Sequence, residues 1–289
     1  MDKIYRFLID NANVRGEWVQ LDAAWQALNE RAEYPAPVRQ MLGEALAAVA
    51  LLSATIKYKG TLVVQVNGGA PLNLLVVQAS SEGKLRGMAR WNGDVDVEPT
   101  VPNLFGEKAT LVITVEPEEA KGDRYQSIVN LEGESLSECL TAYFEQSEQL
   151  KTRLELAVGE SSVAGLMVQR LPGDAEDDDG WNRTRMLAET VKPEELLTLD
   201  VETLLHRLFH EEHLRLFDGE DLAFECSCSQ QKVDSMLLNL GREEAENTLR
   251  EQGSIEVDCD FCNMHYSVDE IDLARIFSET VVTGNDSIH

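Results

Sequence analysis

The chain has 289 residues, 43% hydrophobic and 27% charged, which suits about two soluble domains with sizeable cores. Its 25 basic residues stand against 52 acidic ones, a net charge of −27; such a field repels phosphate backbones, so nucleic acid is not expected as a partner. The longest apolar run, Ala45 to Ile56, falls well short of the roughly 20 residues of a membrane span, and the N-terminus carries Asp2 and Asp10 but no apolar leader. No membrane partner is therefore expected, and the cytoplasm is the default address.

From Pro35, Val38, Met41, Leu42, Ala45, Leu46, Val49 and Leu52 recur at helical spacing, with Pro37 suited to a first turn. Five β-rich segments follow, TLVVQV, PLNLLVVQAS, KLRGMARW, ATLVITVEP and YQSIVNL, separated by turn signals such as Asn67–Gly69 and Glu82–Lys84. SLSECLTAYFEQSEQLKTRL predicts a helix opened by a capping box from Ser135 to Glu138, and LELAVG and AGLMVQRLPG predict two more strands. The expected fold class is α+β: an N-terminal, largely antiparallel sheet with packed helices, then a helical linker and a small C-terminal metal-binding domain.

Composition changes after Pro172. GDAEDDDG (residues 173–180) has five acids in eight residues and reads as a solvated boundary. Beyond it the chain reads as helical from Trp181 to about Glu212, with Val201, Leu204, Leu205 and Leu208 as an apolar stripe that must bury against a neighbour, the N-terminal sheet being the nearest candidate. The last section has predicted helices from Ser229 to Leu240 and from Arg242 to Gln252, a hairpin in SIEVDCDFCNMHYSV, and a final helix capped by Ser267. Three sections result, 1–175, 176–221 and 222–289. The third has too few apolar residues for more than a marginal core, so something must staple it.

Four of the five cysteines sit in two tight couples, Cys226 with Cys228 and Cys259 with Cys262. Structural zinc takes four ligands tetrahedrally, and a four-cysteine set is a standard one, so one zinc ion is the expected cofactor. The C-x-C half departs from an ordinary zinc ribbon, which uses C-x2-C twice. Each couple is also short enough to close a disulfide within itself, and zinc-bound sulfurs are thiolates, the form oxidants attack. A constitutive zinc ribbon, a thiol–disulfide oxidoreductase using CDFC and a redox-triggered unfolding module all remain open at this point. The acids Glu256, Asp258 and Asp260 argue against a nucleic-acid ribbon, and CDFC lacks a thioredoxin-like βαβ setting.

Several other features carry no chemistry. His206, His210 and His213 do not form the H-E-x-x-H zincin motif, and Cys139 sits among Leu136, Leu140 and Tyr143 as a small buried hydrophobe would. No Walker, dinucleotide or nucleophile-elbow pattern occurs, so the chain is not expected to be an enzyme.

With CSCS and CDFC, the segments VRGEWVQL, LLSATIKYKGTLVVQV, GKLRGMARW, SLSECLTAYFEQSEQLKTRL, AGLMVQRLPG and FHEEHLRLFD resemble the redox-regulated 33 kDa chaperonin family, also called the heat-shock protein 33 family. The resemblance spans nearly the whole chain. It implies an N-terminal chaperone domain for client binding and dimerisation (1–175), a linker (176–221) and a zinc-binding redox-switch domain (222–289). It also implies zinc on Cys226, Cys228, Cys259 and Cys262, and oxidation to Cys226–Cys228 and Cys259–Cys262 disulfides with release of zinc. Linker unfolding, homodimerisation and ATP-independent holding of unfolded client proteins follow from the same resemblance. The residues add a physical reading of that coupling: detaching the Val201/Leu204/Leu205/Leu208 stripe would expose two complementary apolar surfaces at once, with the net charge opposing aggregation.

Overall fold

Two strands that the pattern of the first residues does not announce open the chain, β1 (Lys3–Ile9) and β2 (Val14–Leu21), joined by a turn in which Asn13 takes a left-handed φ of 49°. The computed structural model describes residues 2–69, 71–118, 124–173, 177 and 179–283, with side chains as far as 278. Helices α1 (Ala23–Asn29) and α2 (Ala36–Thr55) follow, then strands β3 (Gly60–Asn67), β4 (Leu72–Ser80) and β5 (Lys84–Trp91) and the short helix α3 (Val101–Phe105). Next come β6 (Thr110–Pro117), β7 (Tyr125–Asn130), α4 (Leu136–Gln146), β8 (Thr152–Val158) and β9 (Val163–Arg170). The expected capping box is present, since Ser135 accepts from the Glu138 N–H while the Glu138 carboxylate accepts from the Ser135 N–H. The helix it opens ends at Gln146, however, not in the KTRL segment, because Gln149 turns the chain with a φ of 56° and Thr152 already begins a strand.

The single helical stretch expected from Trp181 is three helices, α5 (Gly180–Ala188), α6 (Pro193–Thr198) and α7 (Val201–Phe209). Pro193 can only begin a helix, and the Asp200 side chain accepts from the Thr203 N–H to start the next. Short strands β10 (Leu214–Leu216), β11 (Glu220–Asp221) and β12 (Ala223–Phe224) come next. Helices α8 (Gln230–Leu240) and α9 (Arg242–Gln252), the hairpin β13 (Ile255–Asp258) with β14 (His265–Val268), and α10 (Glu270–Thr283) complete the described chain. The cap of α10 is Asp269, whose carboxylate accepts from the Asp272 N–H (2.8 Å), and not Ser267 as expected; the Ser267 hydroxyl is turned to Glu256 (2.9 Å). Of the acidic run at 173–180, residues 174–176 and 178 lie outside the described residues.

The chain divides into two compact units, Met1–Glu225 and Cys226–His289. The first is α+β, with two sheets of six strands each among the described residues. One has the order β10-β1-β2-β9-β8, with β11 also on β1; the other is β12-β5-β4-β3-β6-β7, antiparallel except where β12 joins β5. Helix α2 packs against both β4 and β9, which is why its sequence is apolar on almost every side. Its core cluster takes Met41, Leu46 and Leu51 from the helix, Val19 and Met167 from one sheet, and Val64 and Val77 from the other.

The opposite face of the first sheet meets α5 to α7 in a second cluster. Val201, Leu204, Leu205 and Leu208, at most 6% exposed, lie there among Phe7, Ile9, Trp18, Leu166 and Val168. The ring of Phe209 packs, tilted, against that of Phe7 (5.9 Å between centroids), and Phe7 in turn covers Gly16, where a Cβ would overlap its ring. Strand β9 is thus buried on both faces, and VAGLMVQR shows no polar alternation. Among the described residues, the second unit holds one small cluster, with Val233, Leu237, Ile255, Val268, Leu273 and Ile276 among its buried residues.

Candidate metal centre

In the second unit the two cysteine couples arrive from different local structures. Cys226 and Cys228 lie on the extended segment that enters α8, whose cap is Ser229; its hydroxyl accepts from the Lys232 N–H. Residues two apart in an extended chain point to the same side, so a C-x-C couple can present both sulfurs to a common centre. The Lys232 ammonium donates to the Ser227 hydroxyl (2.8 Å) and ties the residue between the two cysteines to the helix. Cys259 and Cys262 occupy the turn between β13 and β14. There the Cys262 and Asn263 N–H groups both donate to the Cys259 carbonyl (3.3 and 2.7 Å), and Asn263 adopts a φ of 51°.

The four sulfurs lie within 4.8 Å of one another, and among the described residues they are the one group of metal-ligating side chains so placed. The Sγ atoms of Cys226 and Cys259 are 3.6 Å apart and those of Cys228 and Cys262 3.3 Å. Tetrahedral zinc with bonds of about 2.3 Å sets its sulfurs about 3.8 Å apart, so the donor set fits that ion in kind, number and spacing. None of the five cysteines is in a disulfide.

Burial opposes ionisation of Cys226, Cys228 and Cys262, and hydrogen bonding sets the direction at each. At Cys228 burial is outweighed by hydrogen bonds from the Tyr266 hydroxyl and the neighbouring thiols, and its pKa falls to about 7. Burial pushes Cys262 up to about 12, with its hydrogen bonds to the other sulfurs acting in the same direction, and burial raises Cys226 as well. Next to the cluster, His265 is held between Asp258 (2.7 Å) and Glu256 (2.8 Å), chiefly by the Asp258 hydrogen bond, which raises its pKa.

Away from the cysteines, a polar latch in the first unit had no motif to announce it. Glu212, its side chain 2% exposed, accepts from Arg183 Nε (2.5 Å) and from Asn11 Nδ2 (2.9 Å), and Arg183 also reaches Asp177 (2.7 Å). The latch joins α5 and the turn after α7 to the β1–β2 turn. In FHEEH the group with structural work is therefore Glu212, while His206 and His210 merely stack on the exposed side of α7 (5.6 Å between centroids). Cys139 is 4% exposed in the α2 cluster, and burial, with Glu138 adding to it, pushes its thiol up to about 12.

Two six-stranded sheets around a buried helix, followed by a compact module with four converging cysteines, define a class of protein in which a folded body carries a thiol-based metal module. A sequence model of the Hsp33 protein family matches residues 2–269. Curated relatives named 33 kDa chaperonin include that of Nitrosococcus oceani, 47% identical over 280 residues and covering 97% of this chain and 96% of its own. That of Chromobacterium violaceum is 44% identical over 283 residues, covering 98% and 96%. The chain belongs to the Hsp33 family. The crystal structure of the 33 kDa chaperonin from Thermotoga maritima superposes with a TM-score of 0.79, covering 97% of this chain and 99% of its own, and at 22% identity it speaks for the fold. Among the described residues no helix is long and apolar enough to cross a membrane.

Proposed function

We propose that this protein is a chaperone of the holdase type, ATP-independent and switched by thiol oxidation in the cytoplasm. It is a binding protein with no catalytic turnover, and its partners are unfolded client proteins and, once activated, a second copy of itself. The observation that carries the reading is the convergence of four thiols in a unit whose own core is a handful of aliphatic side chains. Cys226, Cys228, Cys259 and Cys262 would hold one zinc ion, which supplies the folding free energy that the small core lacks, about 10–16 kcal/mol in comparable modules.

Oxidation removes the ligands. One peroxide takes two electrons from a couple, its sulfurs join, and the peroxide leaves as two waters, the protons coming from the thiols or from solvent. We assign Cys226–Cys228 and Cys259–Cys262 as the disulfides, on the family likeness. The Sγ atoms of Cys226 and Cys259 and those of Cys228 and Cys262 touch across the couples, at 3.6 and 3.3 Å, and closing each couple internally would give up the shared centre. With its staple gone, the second unit unfolds. In this reading 222–289 is the switch, 176–221 the cover, and 1–175 the client-binding and dimerising body. The stripe of α7 masks an apolar sheet face that includes Phe7, Trp18 and Leu166. Release of that cover would present the face to clients, with the charge of −27 keeping the complex soluble.

The reading is tested by measuring zinc in anaerobically purified protein and mapping disulfides by alkylation and mass spectrometry after peroxide. One zinc per chain, replaced by the two disulfides within couples, is the expected result. Metal absent from the reduced protein, or cross-couple disulfides alone, would refute it.

A further inference from the structure

Divalent ions that prefer imidazole are chelated where two ring nitrogens stand on one side of a rigid element, and residues four apart on a helix supply that spacing. Helix α7 carries such a pair, one with no structural work of its own. His206 lies within the helix, and His210 closes it with helical backbone angles (φ −62°, ψ −20°), so both project from the same exposed side. Their ring centroids are 5.6 Å apart. An ion about 2.0–2.1 Å from one nitrogen of each ring, at a tetrahedral angle, would set the centroids about 5.2 Å apart, so the pair already stands close to a chelating separation. Both rings are exposed, and turning them to face one ion moves no buried side chain. His265, by contrast, is held by Asp258 and Glu256, and His213 lies beyond the helix.

The ligand atoms are free and the neighbouring cations are engaged. Among the described residues His206 has no hydrogen bond or ion pair besides its ring contact with His210, and His210 has only the exposed Glu211, 4.0 Å away. Arg207, next to His206 on the helix, pairs with Glu195 (2.6 Å) and donates to the Thr190 carbonyl (3.2 Å). Arg215 pairs with Asp10 (2.8 Å), while Leu214 and Leu216 on either side of it line a groove of about 400 Å³ together with both imidazoles. Glu212 reaches the same groove and holds Arg183. Glu202, four residues before His206, also lines it and offers an oxygen ligand. His210 sits at the C-terminal end of α7, where the helix dipole favours positive charge.

We propose that His206 and His210 form a surface clasp for one divalent ion of the zinc, nickel and copper kind, with Glu202 as an oxygen ligand and water completing the shell. Bridging positions four apart ties together the last turn of α7, so the ion binds the helix and not the unwound chain. The opposite side of that turn carries Leu204, Leu205 and Leu208, buried on the first sheet. Ion binding therefore holds the sheet face covered: an ion at 100 times its Kd lowers the population with α7 open about a hundredfold. The clasp shares no residue with the four-cysteine centre, and neither its existence nor its effect on α7 rests on the holdase reading.

The test titrates untagged, full-length, reduced protein, its cysteines loaded with zinc, with nickel chloride in a calorimeter while a colorimetric chelator reports any displaced zinc. One nickel bound per chain with the zinc retained is the expected result, and H206Q and H210Q should each weaken it by about tenfold or more. At nickel 100 times its Kd, hydrogen exchange across residues 201–209 should slow about a hundredfold in the wild type and stay unchanged in H206Q. Both replacements are at exposed sites, and either alone decides if the other fails to fold. Nickel bound equally by the wild type and both variants would be an adventitious ion only. That result, no binding, nickel taken up solely by displacing the zinc, or nickel bound with exchange of α7 unchanged each overturns the proposal. No oxidant or client enters the measurement, so its failure leaves the holdase switch standing, and a failed switch leaves the clasp standing.

Discussion

Replacing Leu204 and Leu208 with serine should create a chaperone that needs no oxidant. Both side chains are buried, at 0% and 2% exposure, between α7 and the first sheet. Truncation of a buried leucine to alanine costs about 2–5 kcal/mol, and a serine hydroxyl without a partner adds to that. Five buried side chains hold α7, namely Val201, Leu204, Leu205, Leu208 and Phe209. Their burial is worth about 8–15 kcal/mol in total, whereas ordering a nine-residue backbone costs about 9–18 kcal/mol. With the two so close, loss of two leucines should free the helix while the α2 core stays folded. Hydrogen exchange read by mass spectrometry would show residues 180–209 deprotected and α2 unchanged, and the variant should suppress aggregation of a heat-unfolded enzyme under reducing conditions. Freed helices without holdase activity would show that the stripe covers no client site, and helices still protected would refute the packing energetics.

Other outcomes follow from the same structure. Burial pushes Glu17 from 4.5 up to about 7, against the pull of Arg15 and Arg6, so the folded state holds the proton more tightly. The first unit should therefore lose about 3 kcal/mol of stability as pH rises from below 4.5 through 7; denaturant titrations should show that slope in the wild type and not in E17Q, and an equal slope in both would contradict it. Glu212 behaves oppositely, its pKa lowered first by the Arg183 hydrogen bond; its stabilisation is present above the ordinary carboxylate pKa and lost as pH falls through its folded pKa. Proteolysis of the 180–212 region should accelerate on acidification, and at neutral pH E212Q should be cut faster than the wild type; equal rates would remove the latch. Chelation of the metal should unfold residues 226–283 and leave α2 protected in hydrogen exchange, whereas protection retained at both places would mean that the small core suffices.

Much of the molecule was legible because local pattern and final environment agree. The apolar helical spacing of α2, the β-branched runs and turn signals of β3 to β7 and the spacing of the cysteine couples each follow from one physical demand. Elsewhere partners distant in sequence decide. β1 escapes notice because Ile4 is buried in one cluster and Phe7 and Ile9 in the other, which erases polar alternation in KIYRFLI. The breaks at Pro193 and Asp200 were signalled by the residues themselves, although the apolar stripe around Leu204 drew the stretch together as one helix. Ser267 and Asp269 are both competent caps, and only the pairing of Glu256 with Ser267 across the hairpin separates them. For the candidate site, sequence spacing named the four sulfurs; Tyr266 and Lys232, which bear on Cys228 and Ser227, carry no motif and come from the fold alone. The latch of Asn11, Asp177, Arg183 and Glu212 joins residues up to 201 positions apart, beyond the reach of any local signal.

The most direct measurement follows zinc release and holdase activity in one sample. Reduced, metal-loaded protein is treated with peroxide at raised temperature while a colorimetric chelator reports free zinc and light scattering reports aggregation of an unfolding client. Zinc leaving in step with the gain of holdase activity, both reversed by a thiol reductant with zinc present, is the predicted result. Zinc retained while activity appears, or zinc lost with no activity gained, would contradict the coupling of the four sulfurs to the covered sheet face.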